Sequence, residues 1–415
     1  MNEDSIKEPA GAAMFAGEAL FDPIEAGLRE RIRGFIEELL EQELTEALGR
    51  PRHGRGPSPG HRHGRRERRL TGSFGPVAIA VPRARLRAED GSTREWRSAA
   101  LPRYARLTRR AEALIAGAYL AGTNTRRVKR ALVALFRGAV GKDVVSRTWR
   151  KLKADWEAWC RRDLAGEDVV RLILDGTAVR VRLDRKATGI SLLVVLGVRR
   201  DGRKVLLAVK NMGGEGEGEG EGEGEAAWRA ELDDLVARGL RTPAFLIVDG
   251  AAGLERALAA LWPEVPAQRC TVHKHRNLLA HAPEALHEEV SAGYTDMIYA
   301  ATAKEVEQRR RAFLRKWRLK CRAVADSLEE AGERLFTFTR LPPGQWKSAR
   351  TTNAIERLHE GFKRRIKTQT VLPSAETAAM LFWGLLASGQ VTMRKVDGWQ
   401  TLAERPADLP VDLAA

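Results

Sequence analysis

Two aspartates and one glutamate stand where a sheet and a helix could bring carboxylates together. Asp175 follows the apolar run LIL, and Asp249 follows FLIV. An apolar strand that finishes in an acid sets a carboxylate at the rim of a sheet, partly desolvated and open to a ligand. Either aspartate alone says little, because turns after strands favour Asp. Together, on neighbouring strands, they make a hard oxygen donor set suited to Mg²⁺ or Mn²⁺, ions that bridge to substrate phosphates. A third acid lies in SARTTNAIERLHEGFKRRIK. On a helix starting at Thr351, Glu356 shares a face with Glu360, Lys363 and Lys367, since residues three and four apart are neighbours on a helix. Such a face can hold a metal while gripping a polyanion, and an exposed helix laced with ion pairs would carry the same residues. Periodicity does not choose between Glu356 and Glu360.

The elements that would position these acids begin at Val169. VVRLILD, TAVRVRL, GISLLVVLGVRR and RKVLLAVKN read as antiparallel strands, the last two joined by a turn at Asp201-Gly202. Gly213 to Glu225 alternates Gly and Glu and reads as a solvated loop insertion. An amphipathic helix from Ala226 to Gly239, a buried strand ending at Asp249, a helix from Ala251 to Trp262 and a short strand at Ala267 to Cys270 follow. The order is a set of antiparallel strands, then helix, strand, helix, strand. Charged helical segments fill His273 to about Arg340. A long helix then runs from Thr351 through Lys367, and Pro373 separates it from a last apolar helix.

Upstream, Leu28, Ile32, Phe35, Ile36, Leu39, Leu40, Leu44 and Leu48 recur at helical spacing from Phe21 to Leu48, which predicts a core or dimer-packing helix. Arg50 to Arg69 follows, with eight Arg among Gly, Pro and His. It offers nothing to a core and is expected to be a flexible basic arm, suited to phosphates and narrow minor grooves. Its candidate DNA contacts are Arg62, Arg65, Arg66, Arg68 and Arg69. FGPVAIAVPRARLR reads as a short edge strand or hairpin because of Pro82. Three helical pieces come next: Ala111 to Leu120, Thr125 to Phe136 and Asp143 to Leu152. Short helices, glycine-containing turns and basic residues at Arg126, Arg127 and Lys129 are what a helix-turn-helix looks like. A generic helical bundle would look similar.

Composition agrees with a polyanion partner. Lys and Arg total 71 against 55 Asp and Glu, a net charge of +16, and phosphate contacts by such side chains release counterions. Three scattered cysteines cannot make a disulfide framework. No long apolar stretch and no basic leader followed by an apolar core occur, so a reducing cytoplasm without membrane association is expected. No G-x-x-x-x-G-K-[ST] loop occurs, so no nucleotide is expected.

The residues also carry a family resemblance. LDGTAVRVR around Asp175, LIVDG at Asp249, QRCTVHKHRN from Gln268 to Asn277 and TTNAIERLHEGFKRR around Glu356 resemble the Mutator-type bacterial insertion-sequence transposases. Weaker matches lie upstream in LEQELTEALG, GHRHGRRERR and GTNTRRV, so the resemblance spans roughly residues 39 to 390. It implies an α/β fold, a ribonuclease-H-like mixed sheet with an all-helical insertion, preceded by a helix-turn-helix-like DNA-binding region. It selects Glu356 as the partner of Asp175 and Asp249 in a DDE triad that holds two Mg²⁺ or Mn²⁺ ions. It makes Cys270, His273 and Asn353 supporting residues, with Arg357, Lys363, Arg364 and Arg365 on the DNA. Cys270 and His273 also look like half a zinc site, with His275 nearby and no fourth ligand evident. His359 stands where the family usually has Asn.

The expected division is residues 1–100 for DNA binding and dimerisation, 101–165 for the helix-turn-helix-like domain, and 166–280 for the first part of the catalytic domain. A helical insertion at 281–344, the rest of the catalytic domain at 345–395 and a tail at 396–415 complete it. The implied activity is binding of terminal inverted repeats, metal-dependent cleavage, and transfer of the freed 3′ end to target DNA. Joining two ends implies a homodimer. A plain ribonuclease-H-like nuclease and a catalytically impaired DNA-binding remnant are the rival readings. A glycosidase with paired carboxylates is disfavoured by the basic charge and by an aromatic content of 6%.

Overall fold

The computed structural model describes residues 23–88, 91–120, 132, 136, 141–183, 186–211, 221–366, 372 and 374–408. Contacts cluster into two units, Met1–Leu152 and Lys153–Ala415.

In the first unit, helix α1 (Pro23–Leu48) lies on an antiparallel sheet of β1 (Gly60–Gly72), β2 (Gly75–Arg87) and β3 (Thr93–Glu95), with β2 in the middle. Leu40, Leu44 and Leu48, one turn apart, are buried with Leu70, Val77, Ile79 and Ala84. The basic run expected to be a flexible arm is, from Gly60 onward, strand β1, paired with β2 from Gly60↔Leu86 to Gly72↔Gly75. Three of its five arginines find partners that replace water. Arg62 donates to Glu41 and Thr45, Arg65 to Glu41, and Arg68 to the carbonyl oxygens of Pro102 and Ala105. Composition misleads here because an Arg stem can lie along a sheet while its head is bonded elsewhere. Pro82 was grounds to expect an edge, yet β2 is central. Pro82 sits opposite Arg65 beside a bulge between Arg62 and Arg65, the kind of place where a sheet tolerates a residue without an N–H.

Helix α2 (Arg109–Leu120) buries Ala111 and Ile115 with Phe136 and Val145. The expected helix from Thr125 to Phe136, including Arg126, Arg127 and Lys129, lies outside the described residues except for Leu132 and Phe136. Helix α3 (Lys142–Cys160) runs past the expected end at Leu152, because Trp156 continues the apolar face and stacks on Trp159 with ring centroids 5.0 Å apart.

The second unit is built on a mixed sheet. Strands β4 (Val169–Leu183), β5 (Lys186–Arg199) and β6 (Lys204–Asn211) are antiparallel, while β7 (Phe245–Val248) and β8 (Ala267–Arg269) run parallel to β4, in the order β6-β5-β4-β7-β8. VVRLILD and TAVRVRL are not two strands. They form β4 as one, which passes through Asp175 and Gly176 without a turn because pairing with β5 continues at Asp175↔Val194 and Gly176↔Leu193. Ordering a residue costs about 1–2 kcal/mol of backbone entropy, and burying a Leu or Val returns about 1.5–3 kcal/mol. The buried middle of β4 is therefore its best-held part.

On one face, Leu172, Leu174, Leu193 and Val195 pack against α4 (Glu221–Ala237) and α5 (Ala252–Leu261) through Trp228, Leu232, Leu254 and Leu258. Helix α4 starts at Glu221, so the last Gly–Glu units, expected as loop, are helical. Glutamates are favourable at a helix N-terminus, and Glu225 pairs with Arg256 of α5. After β8 come helices α6 (Thr271–Ala280), α7 (His287–Ile298), α8 (Ala303–Lys320), α9 (Arg322–Ala331) and α10 (Pro343–Ala349), the charged helical stretch that the sequence leads one to expect. Most of its cations are spent internally: Arg309, Arg310, Lys316, Arg318 and Lys320 all pair with carboxylates of the same helices or their neighbours. Helix α11 (Asn353–Ile366) packs on β4, and α12 (Ala375–Ala387) on β4 and β6.

The expected tail is not free. Val396 N donates to Gly202 O, Gln345 Nε2 to Thr401 O, and Arg340 Nε to Ala407 O. Among the described residues no helix is long and apolar enough to cross a membrane.

Candidate active site

Parallel pairing of β4 and β7 ends at Leu174↔Val248. Asp175 and Asp249 are the next residues of the two strands and so leave that rung side by side. Alternation along β4 turns Leu172 and Leu174 to the α4–α5 core and Asp175 to the opposite face. Asp175 is 4% exposed, and its Oδ1 accepts from Gly176 N at 2.8 Å. Burial, and then the charge of Asp249, raise its carboxyl to about 7. Burial also raises Asp249, against a 2.9 Å hydrogen bond from Ala251 N. The two acids repel one another in a desolvated place, an arrangement that a cation relieves.

Glu356 lies in the first turn of α11, where the helix dipole favours a carboxylate. It faces a cleft lined by Asp175, Gly176, Thr177, Ala178, His273 and Arg276 together with His359, Glu360 and Lys363 of its own helix; Asp249 does not line it. Its Oε1 lies 3.2 Å from Arg276 Nη1 and 3.6 Å from His273 Nε2. Arg276 thus bonds one oxygen that a metal would take, and the His273 ring stands just beyond hydrogen-bonding distance of it. No group of three His, Cys, Asp or Glu side chains among the described residues stands arranged as a cage. The donor set is all carboxylate oxygen, which suits Mg²⁺ or Mn²⁺ in its chemistry.

The position of Glu356 is fixed from outside the cleft. Cys270 directly follows β8 and is fully buried, and Thr352 ends the turn before α11. Thr352 N and Oγ1 each lie 3.4 Å from Cys270 Sγ, and Thr271 N donates to Arg350 O at 2.9 Å. His273 turns Nδ1 towards Thr352 Oγ1 and Nε2 towards Glu356. Burial pushes the Cys270 thiol up, but hydrogen bonds from His273 and Thr352 outweigh it and leave the thiol below its ordinary range. The same bond to Cys270, against burial and with the charges of Asp175 and Glu356, raises His273 to about 9. His275 does not complete a zinc set. Its Nε2 lies 3.0 Å from Ser291 Oγ, and its ring stacks on Tyr294.

The other expected site residues divide. Arg357, Lys363 and Arg364 are exposed on α11, Asn353 opens that helix half-buried, and the side chain of Arg365 lies outside the described part. In the first unit, Arg66 and Arg69 are exposed and their side chains bond no other described residue, whereas those of Arg62, Arg65 and Arg68 bond within the unit. Arg85, Arg87, Arg94 and Arg97, which composition did not single out, are exposed on or beside the same sheet. Reading the sequence also missed Arg276 and Thr352. Arg276 was legible, since it lies three residues after His273 on a helix and must share its face. His359 is buried against Phe382, and burial, then the charges of Lys363 and His273, lower it to about 3, so it is neutral.

Comparison with known proteins gives a consistent result. Residues 12–394 match the family described as Transposase, Mutator family. The chain is 31% identical over 356 residues, 86% of its length and 85% of the relative's, to the transposase for insertion sequence element ISRM5 of Rhizobium meliloti (strain 1021). It is 26% identical to the transposase for IS905 of Lactococcus lactis subsp. lactis (strain IL1403), covering 85% of this chain and 86% of that one. It is 28% identical to the transposase for IS1081 of Mycobacterium tuberculosis (strain ATCC 25618 / H37Rv), covering 87% and 84%.

Proposed function

Because the chain belongs to the Mutator family of transposases, we propose that Asp175, Asp249 and Glu356 are the acidic triad with which it cuts and rejoins DNA. The observation that carries this reading is the Leu174↔Val248 rung, which sets two of the acids side by side, while α11 brings the third to the cleft that Asp175 lines. The strand order, three antiparallel strands followed by two parallel to the first, supports a ribonuclease-H-like sheet interrupted by helices α6 to α10. Helices α2 and α3, with the chain between them, are the candidate helix-turn-helix.

Asp175, Asp249 and Glu356 would hold two Mg²⁺ or Mn²⁺ ions, which supply activation of the attacking hydroxyl and stabilisation of the leaving 3′ oxygen. The chain's own residues do the rest. Asp175 must be unprotonated to bind a cation, and Asp249 beside it makes that costly without one. His273, held by Cys270 and Thr352, keeps the Glu356 carboxylate in the cleft. Lys363 on the cleft wall, with Arg357 and Arg364 on the same helix, is placed to take the phosphates of the strand being cut. The exposed arginines of the β1–β3 sheet and the helices after it would bind the terminal inverted repeats, and two copies would bring two ends together.

The test is incubation of labelled end DNA with Mg²⁺ and either wild type or Asp249→Ala. Wild type should cleave and transfer strands, and the variant should bind the ends but do neither. Strand transfer that survives Asp249→Ala sinks the triad, and cleavage without joining by wild type would favour a nuclease.

A further inference from the structure

Helix α1 is apolar on two sides, and the sheet covers one of them. At about 100° per residue, Leu28, Ile32, Phe35 and Leu39 fall within about 60° of arc, on the side away from Leu40, Leu44 and Leu48. Leu28 is 50% exposed, Phe35 67% and Leu39 41%. Positions 28 and 35, and 32 and 39, repeat at seven residues, the period of helices that pair along their length. Gly27 and Gly34 repeat at the same interval beyond Arg31 and Glu38, and nothing lies within 4 Å of where a Cβ would stand on either.

The charges beside the stripe say what fits it. Arg31 and Glu38 are both exposed, seven residues apart on one flank, and neither side chain bonds another described residue. When two helices pair antiparallel, the same flank of each faces the other, so Arg31 meets Glu38 of the partner subunit, and the reverse. In a parallel pair opposite flanks meet, and these two charges miss one another. An isologous contact forms each pair twice about its axis, which here passes near Gly34 and Phe35.

We propose that two copies of this chain pair antiparallel through the outer stripe of α1, with Arg31 of each copy bonded to Glu38 of the other. The inference rests on the pairing of copies proposed above and is independent of the carboxylate triad.

Sedimentation velocity on the full-length protein tests it, with thermal melts to show that each variant is folded. Wild type should be a dimer, and Phe35→Glu should shift it to monomer. Arg31→Glu and Glu38→Arg should each weaken the dimer about tenfold, since each sets two like-charge contacts in place of two ion pairs. The double variant R31E/E38R should return to within about twofold of wild type, a repair that only the antiparallel arrangement allows. A monomeric wild type overturns both this surface and the pairing of copies. The same holds if deleting residues 1–22 turns a monomer into a dimer, because that segment would then be what covers the stripe. A dimer indifferent to Phe35→Glu, or single swaps that the double does not repair, overturns this surface and leaves the pairing standing.

Discussion

Thr352 reaches the Cys270 thiol twice, with its backbone nitrogen and its hydroxyl each 3.4 Å from Sγ. Cys270 follows the last strand of the sheet, and Glu356 is one turn beyond Thr352, so this contact sets where the third acid stands relative to the first two. Removing the hydroxyl while keeping the shape, as in Thr352→Val, takes away one buried donor, worth about 1 kcal/mol. We expect strand transfer under single-turnover conditions to fall about tenfold, with DNA affinity and melting temperature little changed. A variant as fast as wild type would show that the thiol contact does not position Glu356.

Asp175 gives a prediction for stability. Its folded pKa of about 7 lies above the value of about 3.9 for an unfolded Asp, so folding favours the protonated form. That contribution is complete below pH ~4 and is lost as pH rises through ~7. In chelator, the protein should therefore melt lower at pH 8 than at pH 5 through this group. Asp175→Asn should remove that part of the slope and melt several degrees higher than wild type at pH 8, for a gain of up to about 4 kcal/mol. Mn²⁺ should raise the wild-type melt and not that of the variant. Parallel pH profiles for the two proteins would contradict the burial argument.

Arg276 competes for Glu356. Its side chain is 62% exposed and its Nη1 is 3.2 Å from Oε1, so the pair is worth little, about 0.2–1 kcal/mol. Calorimetry should find that Arg276→Ala binds Mn²⁺ up to about fivefold more tightly, because the ion no longer displaces a guanidinium. Weaker binding would mean that Arg276 helps to build the metal site.

The arginines of the first sheet should separate by what they touch. Arg66→Ala and Arg69→Ala should weaken binding to every DNA sequence alike, and each should reduce the slope of log K against log salt by about one. Arg62→Ala should leave that slope alone and cost about 1–3 kcal/mol of stability, since it breaks bonds to Glu41 and Thr45. Equal salt slopes for all three variants and wild type would remove this sheet from the DNA interface.

The second unit of the fold was legible because apolar runs and polar gaps alternate cleanly there. Apart from one join, the order of strands and helices from Val169 to Cys270 follows from period. The join at Asp175-Gly176 was not legible, because local turn preference argues for a break that pairing with Val194 and Leu193 overrides. The basic strand β1 was hidden for a related reason: His61 to Arg69 has no apolar alternation, and its partners, Glu41 and the carbonyl oxygens of Pro102 and Ala105, are distant in sequence. Local pattern reached the two aspartates but could not separate Glu356 from Glu360. Resemblance made that choice, and geometry gives it a reason, because Glu356 meets His273 and Arg276 while Glu360 is exposed a turn later.

The unbroken course of β4 through Asp175 makes the two aspartates mechanically unequal. Asp175 is clamped by pairing that continues along β5, within the part of the sheet that burial holds most firmly. Asp249 stands beyond the last paired residue of β7 and is followed by Gly250 at φ 97°, a backbone state that glycine enters without strain. If the two carboxylates share metal ions as proposed, Asp175 is the anvil, and a change in their separation with ionic radius would be taken up on the Asp249 side.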